Sequence, residues 1–197
     1  MGPYPVLPVI MPPGLNGMRN GELDPSVLRP VSNNTGDLYK TAATAFNCLQ
    51  LAAFFDGVAC NPIGVSECYR NLDRQKTIFY ERYQLSPSGR SPEITRNYEG
   101  RVWYLKAGKY APCASPGTSN HGWGLAVDIA DCWVGSKTLN WLYGDGSLGS
   151  KAIQYGFSWE IASGPQAESW HIRYVCGDQI TAATQRAIDV FPQLDVR

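Results

Sequence analysis

Histidine is scarce in this chain, with two residues among 197, His121 and His171. An excess of charge is missing too, since 17 Lys and Arg balance 17 Asp and Glu. Without a basic excess, phosphate-dominated binding to nucleic acid or to an anionic membrane surface is not expected. No apolar run is long enough to span a bilayer as a helix. No internal repeat occurs, and no cysteine pair has CxxC spacing, so a cysteine-based zinc finger lacks support. A secretory leader does not read from the N-terminus either. Pro3, Pro5, Pro8, Pro12 and Pro13 break up its apolar residues, and no Lys or Arg precedes Arg19. Val6 stands where myristoylation requires Ser or Thr.

What is present fits a globular chain: 44% hydrophobic and 17% charged residues argue against disorder. Residues 1–36 are rich in Pro, Gly and Asn and show no periodicity. They read as an extended arm that docks on a partner or packs on its own domain, with residues 37–197 forming that domain. Six cysteines (Cys48, Cys60, Cys68, Cys113, Cys132, Cys176) predict three disulfides, with Cys60–Cys68 and Cys113–Cys132 as guesses; buried free thiols are the alternative. Disulfides without a leader point to a virion (tail) protein, made in the cytoplasm and working outside, or to an extracellular protein whose leader is gone.

Leu38, Ala42, Ala45, Leu49 and Ala52 share a helical stripe within Asp37–Phe55, which Gly57 would end. Residues 63–69 read as a short strand, and Asp73–Tyr83 as a helix burying Ile78 and Phe79. Strands are expected at 102–105, 125–130 and 170–175. Between them lie an interrupted helix at 138–155 and a loop-rich stretch at 86–117, and a closing helix spans 178–190. This order has no repeating βαβ unit, which favours α+β: a small antiparallel sheet flanked by helices.

Both histidines fall in patterned segments. Ser119-Asn120-His121-Gly122-Trp123-Gly124-Leu125-Ala126-Val127-Asp128 supplies an imidazole and a carboxylate, and Glu168-Ser169-Trp170-His171 supplies another of each. Two imidazoles and one carboxylate make a three-ligand zinc site with a position open for water. A second carboxylate three residues before the last histidine can act as general base. Gly122, Gly124, Val127 and Ile129 disfavour a helix between His121 and Asp128. A turn feeding a strand fits better, with Gly124 and Ala126 letting the backbone pass close to the metal.

The pattern Ser-x-His-x-x-Gly-x-Ala-x-Asp followed by Glu-x-Trp-His resembles the VanY-like zinc peptidases of the D-Ala-D-Ala carboxypeptidase family, which includes phage L-Ala-D-Glu endopeptidases. Tyr69-Arg70-Asn71, Gln75 and Gly156-Phe157 also look like that family, although Asn71 replaces its common Ser. The resemblance covers residues 38–176 and implies the Hedgehog/DD-peptidase-like zinc fold. It implies one zinc on His121, Asp128 and His171, with Glu168 moving the proton from water to the leaving amine. Arg70 would stabilise the oxyanion, a role worth roughly 3 kcal/mol. Ser119 and Gln75 would hold the substrate. Glu160 is a competing acid whose spacing from His171 lacks the motif. The implied substrate is the peptidoglycan stem peptide. Other virion proteins are the partners expected for residues 1–36, and a non-catalytic wall-binding module is the rival reading.

Overall fold

A computed structural model describes residues 3–32, 35–87, 90–108, 110–147, 149–164 and 167–197, with backbone only at 90–93. In chain order the elements are β1 (Leu28–Pro30), β2 (Asp37–Tyr39), α1 (Lys40–Phe55), α2 (Leu72–Arg82) and β3 (Tyr83–Gln84). Next come β4 (Arg90–Tyr98), β5 (Arg101–Lys106), β6 (Ala126–Asp128), α3 (Lys137–Tyr143) and α4 (Lys151–Gln154). The chain closes with β7 (Phe157–Trp159), β8 (His171–Tyr174) and α5 (Ala182–Val190). Helices and small antiparallel sheets mix without a βαβ repeat, as the sequence predicts. Among the described residues no helix is long and apolar enough to cross a membrane.

The central helix is α1. Its first half is buried on nearly every side, from Thr41 to Leu49, and its alanines let neighbours approach closely. It starts at Lys40 and not at Asp37, because residues 37–39 pair antiparallel with β1 and the Tyr39 N–H donates to the Gly124 carbonyl. Tertiary pairing outweighs local helical pattern there. Helix α2 is framed as its sequence asks: the Asn71 side chain accepts from the Arg74 N–H at 2.9 Å, Asp73 lies in the first turn and Arg82 in the last.

One predicted strand and one predicted loop need correction. Residues 63–69 form a tight turn over Val65–Glu67, because pairing with the β6 segment stops after a Pro62–Ile129 bridge and an Ile63 N–H to Asp128 carbonyl bond. That turn brings Glu67 and Arg70 toward Asp128. The stretch 86–117 is less loop-like than expected: β4 and β5 form a hairpin through Glu99 and Gly100, both at positive φ. Phe79, Tyr83, Leu105, Tyr98 and Trp103 pack around it as a second, aromatic cluster.

The N-terminal segment packs on its own domain. Tyr4 stacks on Trp159 with ring centroids 5.2 Å apart, Val6 bridges Trp159 in parallel, and Ile10 bridges Cys176. Leu15, Leu23 and Val31 are buried in the main core.

The expected disulfides are absent; all six cysteines are free thiols. Cys113 sits against the aromatic cluster and Cys132 in the main core, so that proposed pair is held apart by packing. Cys68 turns its sulfur toward the Thr35 carbonyl, and Cys132 donates to the Ser169 carbonyl at 3.3 Å. Cys48, Cys60, Cys68 and Cys132 serve as small buried apolar residues.

Candidate metal centre

The site is made by strand register. β7, β8 and β6 form one antiparallel sheet in which Asp128 lies directly opposite His171, so both side chains leave the same face. His171 Nδ1 is 2.7 Å from Asp128 Oδ1. His121 arrives from the tight turn Asn120–Trp123, which Gly124 closes at φ +63. A Cβ on Gly124 would stand 2.7 Å from the Tyr39 nitrogen, so this glycine serves the close approach of Tyr39. His121 Nε2 is 3.3 Å from Asp128 Oδ2. Ligand atoms of His121, Asp128 and His171 all lie within 4.8 Å of one another, and both imidazoles are buried.

The hydrogen bonds around these rings fit a cation. His121 Nδ1 is 2.8 Å from the Cys68 carbonyl oxygen. A carbonyl only accepts, so Nδ1 carries the hydrogen and Nε2 presents its lone pair to Asp128. Burial pushes His121 toward the neutral form, only partly offset by Asp128. A lone pair and a carboxylate oxygen facing each other repel unless a cation lies between them. The donor set of two nitrogens and one oxygen suits a divalent ion such as zinc.

His171 is backed by Glu160. Its Nε2 is 3.1 Å from Glu160 Oε2, close but out of line for a full hydrogen bond, and Asn120 Nδ2 donates to the same oxygen at 3.1 Å. Burial opposes charge on His171, yet Asp128 and Glu160 outweigh it and raise its pKa to about 9. Burial likewise opposes ionisation of Asp128, but the two imidazoles hold it well below the usual carboxylate range.

Arg70 lies at the edge of this centre, 3.8 Å from Asp128 Oδ2 and bonded to Glu67 Oε2 at 2.5 Å. Its backbone N–H donates to the His121 carbonyl at 3.0 Å. Arg70, Gln75 and Ser119 line one small pocket with Ile78, Cys113 and Ala114. Gln75 is buried and its amide is committed: Nε2 donates to Asn20 Oδ1 and the Arg70 carbonyl, and Oε1 accepts from the Gly117 N–H. Glu168 is half-buried, and desolvation raises its pKa above the ordinary value. The Glu168 carbonyl accepts from the His171 N–H, while Ser169 donates to the Cys132 carbonyl and accepts from Trp159 Nε1 at its own. These bonds fix the segment that carries Glu168.

Two further acids stand at the centre: Glu67 on Arg70, which no motif marks, and Glu160 on His171, which competes with Glu168 in the sequence but backs a ring in the structure. The Glu67–Arg70 spacing of i, i+3 was the only signal for the first. Counting Asp128 and Glu168, four carboxylates surround this centre against two guanidiniums, Arg70 beside Asp128 and Arg173 at 3.9 Å from Glu160, a balance that still favours a cation.

Fold and site together define a metal-dependent peptidase. The chain belongs to the VanY family of D-alanyl-D-alanine carboxypeptidases, whose family model matches residues 35–177. The structure is similar to that of the LdcB LD-carboxypeptidase, described as revealing the molecular basis of peptidoglycan recognition. The TM-score is 0.53 and identity 23%, covering 86% of this chain and 76% of that one. A mutant of the D,D-pentapeptidase VanY from a VanB-type resistance cassette, in complex with Zn(II), matches at 20% identity and TM-score 0.47, covering 95% of this chain and 92% of that one. VanYB in complex with D-alanine-D-alanine matches at 21% and 0.46, over 84% and 82%. No curated protein sequence matches the chain.

Proposed function

We propose that this protein is a zinc-dependent carboxypeptidase that removes the terminal D-alanine of a peptidoglycan stem peptide. The convergence of His121, Asp128 and His171 within 4.8 Å carries the reading. Zinc held by these three residues supplies Lewis acidity for the scissile carbonyl and makes a water more acidic. Glu168 takes the proton of the attacking water and delivers it to the leaving amine; its raised pKa suits a group that must both accept and release. Arg70 places a fixed cation where oxyanion charge develops. Ser119, whose hydroxyl has no hydrogen bond among the described residues, offers a donor to the substrate's terminal carboxylate. The match to the D-alanyl-D-alanine carboxypeptidase family model supports release of a terminal residue over cleavage within the stem.

The place of action follows from the substrate: the wall, outside the cytoplasm. A virion-borne setting is one form of this proposal, tested by mass spectrometry of purified virions. The activity is tested by incubating zinc-loaded protein with purified peptidoglycan and synthetic stem peptides, beside Glu168→Ala. Free D-alanine from the intact protein alone is the expected result. Cleavage within the stem would replace the specificity with that of an endopeptidase. Zinc binding without any cleavage would leave a wall-binding module.

A further inference from the structure

The family model begins at residue 35, yet an earlier residue reaches the centre. Asn20 is buried, at 6% exposure. Its Nδ2 donates to the Ser119 carbonyl at 2.7 Å, and its Oδ1 accepts from Gln75 Nε2 at 3.2 Å. The backbone continues the link: the Gly21 N–H donates to the Gly122 carbonyl and the Leu72 N–H to the Gly21 carbonyl, both at 2.8 Å. A Cβ on Gly122 would fall 2.0 Å from Asn20 Oδ1, so the His121 turn closes directly on this amide. Residues 20 and 21 therefore lie between the turn that carries Ser119 and His121 and the segment that carries Arg70 and Gln75.

Apolar packing of the N-terminal segment is supplied elsewhere, by Tyr4, Leu15, Leu23 and Val31. What Asn20 adds is directional. A carboxamide both donates and accepts, so one side chain ties the Ser119 carbonyl beside the His121 turn to the Gln75 amide on α2. Gln75 in turn holds the Arg70 carbonyl at 2.9 Å. Small displacements between groups of one site lower rates steeply.

We infer that Asn20 is a positioning residue, fixing the His121 turn against the Arg70–Gln75 segment for zinc binding and peptide hydrolysis; this rests on the functional reading above. Three full-length variants test it: Asn20→Ala, Asn20→Asp and Tyr4→Leu. The aspartate is nearly isosteric but sets an oxygen against the Ser119 carbonyl where an N–H donated. Tyr4→Leu loosens the same segment at Trp159, away from the centre. Zinc affinity is measured by chelator competition, and kcat and KM by D-alanine release.

Both Asn20 variants should lose roughly tenfold to a hundredfold in kcat/KM and about tenfold in zinc affinity. Tyr4→Leu should stay within about twofold in both, while unfolding at lower denaturant. Asn20 variants indistinguishable from Tyr4→Leu in both readouts would overturn the assignment. Should Asn20→Ala not fold, Asn20→Asp decides alone. A wild-type protein that binds zinc but releases nothing would sink the functional reading instead, and zinc affinity would still decide the role of Asn20.

Discussion

Returning zinc to a chelator-stripped sample should release a proton, and His171 is its source. Asp128 and Glu160 hold that imidazole at a pKa of about 9. At about pH 7.5, roughly 97% of molecules then carry it as imidazolium, against roughly one in ten for an ordinary histidine. His121 is held neutral by burial and contributes almost nothing. A metal ligand must be deprotonated, so binding expels about one proton at about pH 7.5 and roughly a tenth of one at about pH 10. Calorimetric titrations in buffers of different ionisation enthalpy read this number as the slope of observed heat against buffer enthalpy. A slope near zero at about pH 7.5 would refute the reasoning.

The same histidine fixes a stability trend for the stripped protein. Its folded pKa lies above the unfolded value, so its stabilisation is complete below about pH 6.5 and is lost as pH rises through about 9. The amplitude is about 3 kcal/mol at most for a side chain this buried.

Glu160→Gln should bring the His171 pKa down toward its ordinary value and weaken zinc binding roughly tenfold to a hundredfold, read by chelator competition. Alkylation of the native protein at about pH 8 should label only Cys113 and Cys176, the two half-buried thiols. Burial excludes reagent from the other four and raises the Cys48, Cys68 and Cys132 thiols to about 12; mass spectrometry after denaturation should find all six reactive. Leu139→Ala, at a fully buried position, should lower unfolding free energy by roughly 2–5 kcal/mol in urea titration.

The cluster of His121, Asp128 and His171 was legible because each motif is short and its geometry local. His121 sits on a turn and Asp128 on the strand after it, while Glu168 and His171 flank the entry to β8. Only the pairing of Asp128 with His171 had to come from tertiary register. The misreadings have the opposite character. Strand β4 is polar in sequence and lacks the alternation that marks a half-buried strand. Residues 37–39 follow a helical stripe but are claimed by β1. The N-terminal segment finds partners such as Ser158, Trp159 and Val175 more than 140 residues away in sequence, beyond any local pattern. The cysteines misled because their number speaks to redox environment, whereas pairing depends on where packing puts each sulfur.

Glu168 and Glu160 show how structure sharpens a choice that sequence could make only by spacing. Both are acidic and both lie ahead of His171 at the same centre, Glu168 half-buried and Glu160 exposed, its side chain at 45%. Their environments push them apart. The His171 contact comes first among the influences lowering Glu160, with Arg173 and Asn120 adding to it, so that carboxylate stays ionised and committed. Glu168 has no hydrogen bond to its carboxylate among the described residues, and desolvation raises its pKa. A proton shuttle needs a carboxylate free to approach the water and poised to hold the proton between two steps. Glu160 meets neither condition. Its chemistry is that of a fixed anion behind a ligand, which orients the ring and strengthens its donation. The two substitutions should therefore fail differently: Glu168→Ala keeps zinc and loses hydrolysis, whereas Glu160→Gln loses zinc affinity first.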